Sequence, residues 1–163
     1  MSGTTGASGP VVTDAARARI GTVVTTYRSD PISIRHIREY VAATGGRPEK
    51  IGGDDTGEPV CAPPLFFHAA CRPVVAEADL RPDGQYPFLG VPGVWGRTMA
   101  GGNSYEIFGQ VRVGDVLTVT ERLQDIVEKQ GTTGPLVFVT TEGSYHNQDG
   151  VLIARHQHTV IFR

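Results

Sequence analysis

Five histidines, two cysteines and a few carboxylates are the side chains that could carry chemistry in this sequence. His156 and His158 stand two residues apart, so a strand would present both on one face, a spacing able to chelate a metal. No other Cys or His lies at short range of them, and a shared sheet face accounts for the pair. His68 sits in the apolar stretch Cys61–Cys71 and is the best-placed general base, although packing or capping explains it more simply. His36 has polar neighbours and His146 precedes a turn, so both read as solvent-exposed. The cysteines form no C-x-x-C pair, which leaves a structural zinc site without its usual ligands; they read as inert thiols in a reducing compartment. No serine occupies a G-x-S-x-G elbow. Gly101-Gly102 is not followed by Gly-Lys-Ser/Thr, so a phosphate loop has no support either. The inventory predicts no catalytic set and no metal site.

The elements that must position these residues follow from composition and periodicity. With 163 residues the chain is the size of one domain. Its 21 glycines and 11 prolines exclude a helical bundle or coiled coil, because breakers would interrupt every long helix. A net charge of −2 and a pI near 6.2 give no electrostatic reason to expect nucleic acid or an anionic membrane as partner. No apolar run reaches the roughly 18–20 residues of a membrane span, and Met1–Pro10 lacks the basic and apolar regions of a signal peptide. A cytoplasmic protein is expected, with residues 1–17 as an unstructured lead-in and 18–163 as the folded domain.

Ile20–Arg28 is rich in β-branched residues and predicts a strand. Ser33 then offers an N-cap to an amphipathic helix carrying Ile34, Ile37, Tyr40 and Val41, which Gly45-Gly46 should end. Residues 47–93 read as mostly irregular, with an acidic loop at 52–57 and a short apolar helix after Pro63-Pro64. So long an irregular stretch is uncommon unless it lines a functional site. Phe66, Phe67, Tyr86, Phe88 and Trp95 fall in or beside it. Beyond Trp95 the sequence predicts strands at 103–113, 116–129, 136–146 and 151–162, the last two joined by a tight hairpin at 147–150. Hairpin-linked strands after a helical first half mean an α+β domain.

This order of elements resembles the hotdog fold, a curled antiparallel sheet wrapped around a helix. The resemblance is closest to the MaoC-like acyl dehydratases, in their N-terminal-type (fatty-acid-synthase-I-like dehydratase) domain, and covers roughly residues 18–163. It is carried by ISIRHIREYVAATGG at 32–46, APP at 62–64, GGNSYEIFGQVRVGDVLTVTERL at 101–123 and GPLVFVTTEGSYHNQDGVLIARHQHTVIFR at 134–163. It implies hydration of trans-2-enoyl thioesters, or dehydration of (R)-3-hydroxyacyl thioesters, with coenzyme A or acyl carrier protein as the carrier and no further cofactor. Catalytic members carry an Asp and a His five positions apart, just beyond the helix, to activate water and move the α-proton. Here Gly46 stands where the aspartate belongs and Lys50 where the histidine belongs. Glycine offers no side chain, and an ammonium is no base at neutral pH without strong desolvation. Glu49 is the nearby carboxylate, and ordinary surface exposure accounts for it.

In such families a domain that keeps the fold and loses the dyad serves as the non-catalytic half of a heterodimer. The resemblance therefore implies an acyl-chain-binding subunit for a long or bulky acyl group, acting with a dyad-bearing MaoC-like partner. Pro64, Phe66, Phe67, Trp95 and Met99 are the residues expected to hold the acyl tail, each also explicable as core packing. The alternatives are a self-sufficient homodimeric hydratase or thioesterase using His68 or Glu49, and an acyl-CoA-binding scaffold with no activity.

Overall fold

The computed structural model describes residues 10–52, 59–80, 84, 86 and 91–163. Five antiparallel strands form its main sheet: β2 (Val23–Arg28), β4 (Thr98–Ile107), β5 (Thr118–Gly131), β6 (Gly134–His146) and β7 (Leu152–Phe162), in the order β2-β5-β6-β7-β4. A two-stranded pair, β1 (Val11–Val12) with β3 (Val94–Trp95), stands apart from it. Helices α1 (Asp14–Arg17), α2 (Ile34–Ala43) and α3 (Phe66–Ala70) complete the α+β architecture.

The helix ends follow their sequence signals. Ser33 Oγ accepts from the His36 amide at 3.2 Å, and the Ser33 amide donates to His36 Nδ1 at 3.4 Å, closing a capping box with histidine in the usual Glu position. At the other end Gly45 adopts φ +80°; its amide donates to Ala42 O at 3.3 Å and the Gly46 amide to Val41 O at 2.8 Å. That is a Schellman terminator, which needs glycine because its αL residue has positive φ. The β6–β7 hairpin is tied by Asn147, whose Oδ1 accepts from the amides of Asp149 and Val151, with Gly150 at φ +75°.

Three expectations are corrected. Residues 11–17 are not an unstructured lead-in. Thr13 caps α1, and both its amide and its hydroxyl donate to Gly93 O, at 3.0 and 3.3 Å, while Ala16 is fully buried. An isolated two-residue strand and a single helical turn have little local stability, so the sequence carried only a weak signal; the contact with residues 91–95 holds them. Second, the strand expected at 103–113 runs from Thr98 to Ile107. Gly101-Gly102 reads as a break but forms a β-bulge, with the register against β7 shifting between Ala100 and Gly102. A Cβ on Gly101 would lie 2.8 Å from Thr159 O, so glycine is required where the two backbones approach. The amides of Phe108 and Gly109 both donate to Ile153 O, which ends the ladder. Third, His146 is half-buried rather than exposed.

Side-chain alternation puts Val119, Glu121 and Leu123 of β5, Val137, Val139, Thr141, Gly143 and Tyr145 of β6, and Ala154, His156, His158, Val160 and Phe162 of β7 on one face. A bulge between Leu123 and Asp125 keeps Ile126 on that face. Two apolar clusters form there. One joins Ile37 and Val41 of α2 and Phe66 and Phe67 of α3 to Leu117, Val119, Tyr145 and Ala154. The other joins Ala16, Val91 and Val94 to Leu123, Ile126, Val137, Val139 and Phe162. Replacing fully buried Leu117 with alanine should cost about 2–5 kcal/mol, against about 1 kcal/mol for Ser33→Ala at the helix cap. Urea unfolding of the two variants measures the contrast, and equal losses would contradict this assignment of the core.

Candidate functional site

Between the two apolar clusters the inner face turns polar. Strand register aligns Thr25, Glu121, Gly143, His156 and Tyr105 in one row across the sheet, and Leu123, Thr141, His158 and Asn103 in the next. Gly143 brings no side chain to the first row, and Val119, Tyr145 and Glu121 close over it, at 3.3, 3.4 and 3.6 Å from where a Cβ would lie. Above the band lies the end of α3, which places His68 and Arg72.

His68 is clamped from both sides. An Arg72 guanidinium N–H donates to Nε2 at 2.8 Å, and the Tyr145 hydroxyl lies 3.1 Å from Nδ1. Arginine can only donate, so Nε2 is the bare nitrogen and Nδ1–H donates to Tyr145 Oη. Burial, then the charge of Arg72, then His158 lower the His68 pKa to about 4. Its lone pair is therefore occupied by a cation's proton and it stays neutral at pH 7. That geometry suits a strut, in line with the packing role that explains His68 more simply than a general base.

His156 is 4% exposed. Its Nε2–H donates to Asn103 Oδ1 at 2.7 Å, and its ring stacks on Tyr105 with centroids 4.4 Å apart. Burial first, then His68, His158 and Arg72, bring its pKa to about 3. His158 is lowered by burial and Arg72 as well. Glu121 moves the opposite way: burial raises its pKa and Arg72 partly counters this. The Cys71 thiol, 5% exposed, is pushed up by burial to about 12, so it is not a nucleophile at neutral pH.

The band floors a cavity of about 640 Å³, the size of a small-molecule site. Val91, Val94, Val139, Val160 and Phe162 are among its apolar lining, and Arg19, Thr25, Arg72, Glu121, Thr141, His156 and His158 make its polar part. A second cavity of about 430 Å³ lies beside α2 and α3, and Arg72 borders both.

The structure does not gather the five residues expected to hold an acyl tail. Trp95, 59% exposed, lines the larger cavity. Phe66, 3% exposed, borders only the smaller one. Phe67 is 1% exposed and packs edge-on against Tyr105 and Tyr145, which makes it a core residue with no surface for a ligand. Pro64 and Met99 are exposed and border neither cavity. Phe88 and most of the acidic loop lie outside the described residues. Sequence reasoning missed Arg72 and Glu121 altogether. The available signal was Glu121 at an inward position of a strand that otherwise alternates cleanly.

The positions of the expected dyad are also defined. Lys50 and Glu49 are exposed on a single 3₁₀ turn, Pro48–Lys50. Gly46 closes the Schellman turn, and a Cβ there would lie 2.6 Å from Val41 Cγ1 and 3.2 Å from Val41 O. Among the described residues no group of three or more His, Cys, Asp or Glu could hold a metal ion, and no helix is long and apolar enough to cross a membrane.

The family described as "FAS1-like, dehydratase domain region" matches residues 18–156. No protein of curated function matches the sequence. Among solved structures, the ChsH1-ChsH2 complex from Mycobacterium tuberculosis is similar at TM-score 0.67 and 16% identity, over 91% of this chain and 89% of the other. The R-hydratase PhaJ1 from Pseudomonas aeruginosa gives 0.57 and 16%, over 85% and 78%. The HadBC (3R-hydroxyacyl-ACP dehydratase) complex from Mycobacterium tuberculosis gives 0.56 and 17%, over 84% and 94%. At such identities the likeness is one of fold, and that fold is the hotdog.

Neutral buried histidines fix the pH dependence of stability. The folded pKa values of His68 and His156 lie below the value of about 6.5 expected when unfolded, so the unfolded chain takes up protons first as pH falls. Their contribution is complete above about pH 7 and declines through pH 6 and 5. Glu121 has the opposite sign, stabilising most at low pH and losing its contribution as pH rises through its raised folded pKa. The thermal midpoint, followed by circular dichroism, should fall between about pH 7 and pH 5. His156→Phe keeps the ring and removes the titration, so it should flatten that slope; an unchanged slope would refute the assignment.

Proposed function

The chain belongs to the FAS1-like dehydratase family, and from that premise we propose that it is the acyl-binding, non-catalytic subunit of an (R)-specific enoyl-thioester hydratase or 3-hydroxyacyl-thioester dehydratase. The observation that carries this reading is Gly46. The family resemblance puts a carboxylate at that position, and here the backbone turn and Val41 fill the space a side chain would need. An aspartate there would require the Val41 side chain to move. Lys50, at the histidine's position, is exposed on the 3₁₀ turn.

A self-sufficient enzyme built on His68 has less support, because Arg72 occupies the nitrogen that would have to accept a proton. Glu49 lies exposed on the 3₁₀ turn, where no described cavity reaches it. The remaining role is to hold the acyl group, and the 640 Å³ cavity beside Trp95 is where this chain would do so. The dyad, and the hydrogen-bond donor that stabilises the thioester enolate, would then come from a second MaoC-like subunit. The likeness to chains from two complexes named for two components, ChsH1-ChsH2 and HadBC, supports a paired assembly. The substrate would be a coenzyme A or acyl-carrier-protein thioester and the assembly cytoplasmic.

Co-expression with a dyad-bearing MaoC-like chain should give a stable complex that hydrates 2-enoyl thioesters. This chain alone should bind acyl-CoA without turnover, and Glu49→Gln should leave the activity of the complex unchanged. Substantial hydration by the isolated chain, measured by loss of enoyl absorbance, would overturn the subunit reading. Loss of thioester hydrolysis in Glu49→Gln would identify a thioesterase instead.

A further inference from the structure

The larger cavity is polar where a site for a plain hydrocarbon tail would be apolar. Its floor carries Glu121, Thr141 and His158 on neighbouring rows of the sheet, with Arg72 at its edge. A saturated chain lying over these groups would displace their water and return no hydrogen bonds, a loss that buried polar groups do not tolerate cheaply. The occupant must therefore carry a polar atom at this level. The charges say which kind. Arg72 and Glu121 interact electrostatically, yet the ion pairs formed among the described residues are Arg17–Glu128 and Arg35–Glu39, both on the surface. The two opposite charges border one cavity without closing on each other. Arg19 lines the cavity as well; between Arg72 and Glu121 themselves a carboxylate would be attracted by the one and repelled by the other, and an ammonium the reverse. A neutral group that accepts from the guanidinium and donates to the carboxylate serves both.

We propose that this cavity selects acyl groups bearing a hydroxyl on the body of the chain, remote from the thioester, and that Arg72 and Glu121 read it. The inference rests on the acyl-binding reading above and names the class of acyl group. The apolar remainder of the cavity, Val91, Val139 and Phe162 among it, suits the hydrocarbon on either side of the hydroxyl.

The test uses the full chain and the fluorescence of Trp95, its sole tryptophan, which lines the cavity. Calorimetry confirms each affinity. The probes are dodecanoyl-CoA, its isomeric derivatives with one hydroxyl at a mid-chain or terminal carbon, and the derivative ending in a carboxylate. At least one hydroxylated thioester should bind about tenfold tighter than dodecanoyl-CoA, a difference of about 1.4 kcal/mol. The carboxylate should show no such gain. Arg72→Met should abolish the hydroxyl preference. Because Arg72 also holds His68, Glu121→Gln serves as the second variant: it should keep the hydroxyl preference and let the carboxylate derivative gain several-fold. Equal binding of all four classes, or tightest binding of the carboxylate by the native chain, would overturn the hydroxyl assignment and leave acyl binding intact. Failure of every thioester to bind would remove the acyl-binding reading itself.

Discussion

The hydrogen-bonded chain from Arg72 through His68 to Tyr145 is the constraint on which the rest of the molecule depends. It fixes a five-residue helix, α3, too short to hold itself, onto the C-terminal end of β6, the central strand of the sheet. Phe67 then packs against Tyr105 and Tyr145, and one apolar cluster closes around it. The same chain leaves the Arg72 guanidinium at the edge of both cavities. Since the proton positions are forced by arginine having no acceptor, His68 is locked in one tautomer. The residue most suggestive of catalysis in the sequence is therefore a structural strut.

Legibility in the sequence followed the range of the interaction concerned. α2 could be read because both of its ends are made by residues within three to five positions, Ser33 with His36 and Gly45-Gly46 with Ala42 and Val41. The β6–β7 hairpin was equally plain, since Asn147 and Gly150 make their bonds inside the turn. β4 was misplaced because glycine pairs mark both turns and bulges, and only the partner strand decides between them. The band of Glu121, Thr141, His156 and His158 could not be read as a whole. The shared strand face of the two histidines was legible, but Glu121 and Thr141 are unremarked inward positions, and only strand register aligns all four.

The same distinction sorts the candidate site residues. Large aromatics in a proline-marked segment are natural candidates for a ligand wall, yet burial by the chain's own tyrosines takes Phe67, and Phe66 serves mainly the core. Trp95 reached the cavity for a reason unconnected with aromatic content: β3 pairs with β1, and that pair stands beside the open part of the sheet. Glycine and lysine at the two positions where the resemblance implies a dyad, in contrast, were visible at once, because a residue's type is a local fact. What the fold adds is that Gly46 belongs to a helix terminator with its own geometric demands.

The pairing of β1 with β3 has a kinetic corollary. Val11 and Trp95 meet across more than eighty residues of chain, held by two-residue strands and the bonds between Thr13 and Gly93. The hairpins β5–β6 and β6–β7 close short loops and so can form early, whereas the β1–β3 wall must wait for a distant closure and gains few contacts in return. A wall that forms last and is held least is also the first to open from the native state. Local unfolding of this wall would uncover the Trp95 side of the cavity while the five-stranded sheet stays intact. Entry of a ligand wider than the cavity mouth is then governed by a subglobal opening equilibrium, one that hydrogen exchange at Thr13 and Val94 would resolve from global unfolding.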